Sequence, residues 1–240
     1  MIDVIPVPAL SDNYIWMFRD PASGSVAVVD PGQDAPALAA AKQRGWTITH
    51  ILNTHWHPDH TGGNAAIKAA TGAPITAPAE AEKVSAVDRV VAEGDRVSVG
   101  ELEAVVWDIP AHTAGHVAFY FEAAKMIFTG DTLFAMGCGR LFEGTAEQMF
   151  ANMRRFAALP DDVMIYCGHE YSLANARFAV HVDPDSAAVS KRYAKMAEMR
   201  ERGEVTLPTG IGEEKATNPF MRARDAAELA RLRTMKDSFG

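Results

Sequence analysis

The chain has 240 residues, 48% of them hydrophobic and 22% charged, with a formal net charge of −8. That length and balance suit one large soluble domain, or a main domain with an appendage, and argue against disorder. The acidic surplus argues against nucleic acid as a partner, because phosphate binding draws on clustered Lys and Arg, and two cysteines are too few for a disulfide framework and suit a reducing compartment.

In chain order, "MIDVIPVPALSDNY" carries Asp3 and two prolines where an export signal would need a basic start and a longer apolar run. No stretch approaches the ~18 uninterrupted apolar residues of a membrane helix. A cytoplasmic location with no membrane partner is therefore expected. Short runs rich in β-branched and aromatic residues then follow one another as strands: "YIWMF", "SVAVVD", "ITHILNTH", "LEAVVWDIPAH", "VAFYF", "KMIFTGD" and "VMIYCGH". Two helices interleave with them. "DAPALAAAKQRG" offers Asp34 as N-cap, Pro36 in the first turn and Gly45 as the stop. "TAEQMFANMRRFAALP" opens with Thr145 and Gln148 at capping-box spacing, carries Met149, Phe150, Met153 and Phe156 on one face, and stops before Pro160. Beyond about Tyr171 the pattern turns helical: "LANARFAVHV", "DSAAVSKRYAKMAEMRERG" and "AAELARLRTMKDSF" predict three helices, joined by a polar stretch with Pro208, Gly210, Gly212 and Pro219. A mixed α/β domain followed by a small helical one is the expectation.

The histidines fall at the ends of the strand runs. "ILNT" is followed at once by His55, His57, Asp59 and His60; "DIP" leads to His112, "MIFTG" to Asp131 and "MIYCG" to His169. In a layered α/β sheet such ends can lie along one edge and converge in a crevice. Imidazole and carboxylate together suit zinc, iron or manganese. Five histidines and two aspartates exceed what one four-coordinate ion can use, and two ions sharing a bridging carboxylate would account for the count.

"THWHPDH" resembles the His-x-His-x-Asp-His signature of the metallo-β-lactamase superfamily, which implies an αββα sandwich with a dinuclear site along one edge. By that resemblance His55, His57 and His112 hold one ion, Asp59, His60 and His169 the second, and Asp131 bridges. "DNY", "GDTLF…GCGRLFEGT", "CGHEY" and "NPFMR" are similar, more narrowly, to the hydroxyacylglutathione hydrolases, or glyoxalase II, including their small all-α C-terminal domain. The similarity runs from Asp12 to Lys236. It implies a catalytic domain over 1–171, a glutathione-binding helical domain over 172–240, and a monomer acting on a small glutathione thioester.

The implied reaction is hydrolysis of S-D-lactoylglutathione to D-lactate and glutathione, the second step of methylglyoxal detoxification. It would proceed by attack of a metal-bridging hydroxide, with Asp59 and Asp131 as its catalytic carboxylates and two divalent ions, zinc before iron or manganese, as cofactors. A thiol with a pKa of about 8.5 leaves as thiolate without a strong general acid. For glutathione the resemblance implies Tyr171, Arg233 and Lys236, together with Arg140, where many relatives have lysine, and Phe142, where many have tyrosine.

Other residues invite blander readings. His116 suits packing or support of a ligand, and His50 and His181 receive no role. Cys138 and Cys167 suit small-residue packing better than nucleophilic chemistry. Asp108 is as good a turn carboxylate as a partner for a ligand. "GCGRLFEGT" lacks the Gly-Lys-Ser or Gly-Lys-Thr ending of a phosphate loop. Arg233 and Lys236 could simply offset a helix dipole. The competing functions are another hydrolase on this fold, such as a lactonase, a persulfide dioxygenase, and a metal-binding protein without catalysis; the complete ligand set and the helical tail speak for the thioesterase.

Overall fold

A computed structural model describes residues 2–239 and divides into two compact units. The first comprises the chain up to Asp108 together with Gly115–Gly130; the second comprises Ile109–Ala114 and the chain from Asp131 onwards.

In the first unit β1 (Asp3–Ala9), β2 (Asn13–Arg19), β3 (Val26–Val29), β4 (His50–Leu52), β5 (Ile75–Pro78) and β6 (Arg89–Val91) form one sheet in that spatial order. The pairs β1–β2 and β2–β3 are antiparallel, and the three pairs from β3 to β6 are parallel. Parallel neighbours need crossovers. The first two are supplied by α1 (Asp34–Arg44) and by α2 (Pro58–Thr61) with α3 (Asn64–Thr71), and the third by the segment with the 3-10 turn Ala79–Lys83.

The strand β2 shows how the layers arise. Its alternate residues Ile15 and Met17 join Val28, Ile51 and Ile75 of the sheet, Ala37 of α1 and Ile67 of α3 in one buried cluster. The opposite face carries Phe18, whose ring lies 5.2 Å from Phe121 and 5.4 Å from Phe128. Those two belong to β9 (Val117–Phe121) and β10 (Met126–Gly130), which with β7 (Arg96–Val99) and β8 (Leu102–Asp108) form an antiparallel run of strands. Within this unit the order is helices, sheet, sheet.

The second unit contains the short hairpin β11 (Leu133–Phe134) and β12 (Gly137–Cys138), then α4 (Ala146–Ala157), β13 (Met164–Cys167), α5 (Ser172–Val182), α6 (Ala187–Glu201), β14 (Thr209–Gly210), α7 (Ile211–Thr217) and α8 (Ala226–Asp237). The capping box at α4 is present in full, with Thr145 accepting from the Gln148 amide and the Gln148 side chain accepting from the Thr145 amide. Met149, Met153 and Phe156 are its buried face, while Phe150 is only half-buried.

Several elements differ from the pattern-based expectation. The run 48–55 is a strand only over His50–Leu52; the residues after it bend away to carry histidines. The prolines at 6 and 8 obscure β1, which tolerates them because it is the edge of its sheet and one row of its backbone groups needs no partner there. The strands β5, β6 and β7 are short, and α3 has only Ile67 as a large buried apolar residue. Gln33, not Asp34, is the cap of α1, and no side-chain bond is made there, whereas Gly45 ends the helix in the left-handed region at φ 65° as expected. The polar stretch after α6 contains the two residues of β14, which pair with β13, and α7.

Candidate metal centre

In the first unit the segment after β4 delivers four of the expected ligands within six residues. His55 and His60 are buried, and His57 and Asp59 are partly open. The rings of His55 and His60 have centroids 4.2 Å apart, and His55 Nε2 lies 3.1 Å from His57 Nδ1. His60 Nε2 is 3.4 Å from Asp59 Oδ2. Asn13 Nδ2 donates to both the carbonyl and the carboxylate of Asp59, at 3.2 and 3.0 Å. Asn13 thereby gives the "DNY" triplet a physical role.

The loop keeps its shape because another loop presses against it. At Gly32 a Cβ would stand 2.0 Å from the Asp59 carbonyl oxygen, so only glycine allows this approach. Two residues earlier lies Asp30, a residue for which the sequence pattern gave no role. Its carboxylate accepts from the Thr54 amide and the Thr54 hydroxyl, both at 2.7 Å, and its Oδ2 is 3.2 Å from His60 Nδ1. Asp30, His55 and His60, all buried, each offer a ligand atom within 4.8 Å of the other two. Since Asp30 already takes two bonds from Thr54, its geometry is that of a carboxylate orienting an imidazole. The sequence shows only an aspartate directly after the apolar run "VAVV" and before Pro31 and Gly32; the structure adds that this strand is buried throughout and that Asp30 turns at φ 52°.

His116 is fully buried and stacks on His55, with ring centroids 4.5 Å apart and planes 15° apart. Its Nδ1 lies 3.1 Å from the Val117 carbonyl. The position that suggested packing or support of a ligand is here packed against His55. Asp108 stands at the exposed end of β8, and its amide donates to Glu93 Oε2 at 2.8 Å.

The second unit brings the other three expected ligands together. Asp131 Oδ2 is 3.4 Å from His112 Nε2 and 3.2 Å from His169 Nε2, so one carboxylate oxygen faces two imidazoles. His112 presents its other nitrogen, Nδ1, to the Arg140 carbonyl at 3.0 Å, which sets the tautomer and turns Nε2 towards Asp131. It follows Ala111, held at φ 144° in a region that costs an L-residue energy. The turn is pinned by the Ala111 amide donating to Thr113 O at 3.0 Å and by Asn152 Nδ2 donating to Pro110 O at 2.6 Å.

The residues expected at the substrate lie in this unit too. Tyr171 stacks on His169, centroids 4.6 Å apart and planes 2° apart. Phe142 is 60% exposed with its ring 5.2 Å from that of His112. A surface pocket of about 390 Å³ is lined by Arg140, Phe142, Arg233, Thr234 and Asp237 among others. Arg233 is largely buried there: Nη1 donates to Cys138 O at 2.8 Å, and Nη2 lies 2.9 Å from Asp237 Oδ1. Lys236 Nζ donates to Ala174 O at 3.2 Å, and partial burial, then Arg233 and Arg140, hold its pKa below the usual lysine value. Burial pushes the Cys138 thiol up to about 11 and Cys167 further in the same direction, which removes the thiolate that a nucleophile would need.

The donor set fits divalent ions. Imidazole nitrogens and carboxylate oxygens lie within a few ångströms of one another around His55 and His60 in the first unit and around Asp131 in the second, a donor chemistry that suits zinc, iron or manganese.

Residues 11–169 match the family model of the metallo-β-lactamase superfamily, and residues 170–239 match that of the hydroxyacylglutathione hydrolase C-terminus. A hydroxyacylglutathione hydrolase of Erythrobacter litoralis is 47% identical over the whole of both chains. One of Rhodospirillum rubrum is 49% identical over 94% of this chain and 88% of its own. Among solved structures, ETHE1 from Myxococcus xanthus superposes with a TM-score of 0.74 at 24% identity, covering 98% of this chain and 90% of its own. TTHA1623 in a di-iron-bound form gives 0.67 at 24% identity, covering 90% of this chain and all of its own. These structures share the fold.

Proposed function

Since the chain belongs to the metallo-β-lactamase superfamily and, within it, to the hydroxyacylglutathione hydrolases, we propose a division of labour among its residues. The activity is hydrolysis of a 2-hydroxyacylglutathione thioester, S-D-lactoylglutathione giving D-lactate and glutathione. His55, His57 and His112 hold one divalent ion, Asp59, His60 and His169 hold another, and Asp131 is shared. The observation that carries this reading is the single Asp131 oxygen faced by the Nε2 atoms of both His112 and His169. Zinc is the first choice of metal, and the di-iron form of TTHA1623 supports iron as an occupant of this kind of site.

When bound, such ions acidify water towards neutral pH and supply positive charge where the thioester carbonyl gains negative charge. The chain's own residues orient and exclude. Asp59, tied down by Asn13, is the half-open carboxylate that faces incoming water and substrate. Tyr171 and Phe142 present exposed aromatic faces beside His169 and His112, against which a thioester can pack. Arg140, Arg233 and Lys236 supply positive charge for the carboxylates of glutathione, and the helical segment 172–240 serves as the substrate-binding part. The sulfur leaves as thiolate, its ordinary pKa of about 8.5 being low enough to need no acid from the chain.

No helix of the described residues is long and apolar enough to cross a membrane. The expected cytoplasmic, monomeric state belongs to this proposal and is supported by the acidic charge and the free cysteines.

The deciding experiment is thioester loss from S-D-lactoylglutathione by the purified protein, with metal content measured on the same sample. Rapid turnover with close to two ions per chain is the expected result. No turnover in metal-loaded protein would overturn the substrate assignment and direct the assay to persulfides and lactones.

A further inference from the structure

The hairpin from β11 to β12 lies between Asp131 and Arg140, yet its two strands are only two residues each and cannot fix it by pairing alone. Its backbone is met instead by side chains of the helical segment. Asn218 Nδ2 donates to Phe134 O at 3.2 Å and to Gly137 O at 3.0 Å. Asn175 Nδ2 donates to Ala135 O at 3.1 Å. The Met136 amide donates to Glu214 Oε2 at 2.8 Å, and Arg233 Nη1 donates to Cys138 O at 2.8 Å. Each of the consecutive residues 134–138 thus has a main-chain group bonded to a side chain from α5, α7, the turn after α7, or α8. Met136 sits at φ 55°, a conformation that a non-glycine residue keeps only when its surroundings enforce it.

The clamps are themselves fixed. Asn218 is fully buried, its Oδ1 accepting from the Phe220 amide at 3.0 Å and its Nδ2 also reaching Glu214 Oε2 at 2.9 Å. Glu214, equally buried, is paired with Arg192 and accepts from Thr209 Oγ1 at 2.7 Å. A buried carboxylate this well bonded holds position as a rigid acceptor.

The other side of the hairpin touches every ligand of this unit. A Cβ at Gly139 would stand 1.9 Å from Asp131 O, so the returning strand lies directly on the backbone of Asp131, and the Gly139 amide closes the loop on Thr132 O at 3.1 Å. Arg140 O holds His112 Nδ1, and the Phe134 ring lies 6.0 Å from that of His169.

We propose that Asn218, Glu214 and Asn175 are positioning residues for the reaction. Through the backbone of 134–138 they set His112, Asp131 and His169, so the helical segment serves the metal ligands as well as the substrate. The "NPFMR" stretch owes its asparagine to this clamp. The inference rests on the reading of Asp131 and its partners as ligands.

Asn218→Ala and Asn175→Ala are compared with Met196→Ala, a buried apolar truncation on α6 that makes none of these bonds. The readouts are amide hydrogen exchange across 131–140, metal retention against a chelator, and kcat and KM separately. The two asparagine variants are expected to exchange faster in that segment, to lose metal affinity about 10- to 100-fold, and to lose kcat with KM little changed. Met196→Ala lowers the Tm and leaves those three readouts as they were. Asparagine variants that match Met196→Ala on all readouts would reduce the clamp to ordinary packing and overturn the proposal. Should Asn218→Ala fail to fold, Asn175→Ala, which removes the single bond to Ala135 O, decides alone. Absence of bound metal in the unmodified protein would defeat the ligand reading, whereas the exchange rates judge the clamp with or without metal.

Discussion

The two units present their proposed ligands in opposite styles. In the first, His55, His57, Asp59 and His60 come from one loop and its short helix, so the spacing of six residues fixes their geometry. In the second, His112, Asp131 and His169 come from three separate turns, and each is held by a contact from outside its own turn or strand end: His112 by the carbonyl of Arg140, 28 residues on, Asp131 by the returning chain at Gly139, and His169 by the stacked ring of Tyr171. A local set takes its spacing from one short loop, which the turn of Asp30 and Gly32 then braces. A dispersed set depends on the packing around it, so changes far from the ligands should harm the second more than the first.

The largest effect is expected at the residue where the dispersed set converges. Asp131→Ala removes the one oxygen facing both His112 and His169. Activity should fall by more than about 100-fold, above what a change outside the ligands produces, and both ions should be lost or weakly held. Metal analysis of the dialysed variant checks this; full activity would defeat a shared aspartate.

Within the local set the sharpest lever is Asp30. Asp30→Asn replaces one of two acceptors with a donor, which faces either the Thr54 amide or the Thr54 hydroxyl and His60. A lost hydrogen bond to a charged group is worth about 1.5–3 kcal/mol, and metal affinity should drop about 10- to 100-fold through His60 alone. Chelator competition measures it. Loss as severe as in Asp131→Ala would show that Asp30 is a ligand itself and that the two sets are not held so differently.

The same contrast explains what could be read in the sequence. The run from His55 to His60 is legible because a local motif carries its own geometry, and the capping box at Thr145 is legible for the same reason. The helical tail beyond Tyr171 declares itself by composition. What stays hidden depends on partners remote in the chain. Asp30 gains its role only when Thr54 and His60 fold over it, and β1 escapes notice because its prolines are harmless only at a sheet edge. Glu214 and Asn218 look like surface residues of a polar stretch, yet they are fully buried because the 134–138 backbone and Arg192 satisfy them. Asp108 shows the converse: a carboxylate at a strand end, by spacing a possible partner for a ligand, that folding leaves exposed.

The smallest effect is expected at the exposed rim of the dispersed set, where Phe142 stands beside His112 with most of its ring in solvent. A tyrosine there would add one hydroxyl without crowding the core, because the side chain is already largely exposed. If the glutathione peptide runs along the pocket of Arg140, Phe142 and Arg233, that hydroxyl gains one neutral hydrogen bond, worth about 0.5–1.5 kcal/mol. Phe142→Tyr should therefore lower KM for S-D-lactoylglutathione about 2- to 10-fold and leave kcat and metal content alone, since the ring does not hold His112 by any bond that the hydroxyl would alter. Steady-state kinetics on the metal-loaded variant measure the split. A change in kcat with KM constant would mean that Phe142 acts on the His112 ligand rather than on substrate, and the rim would then belong to the positioning machinery of the second unit.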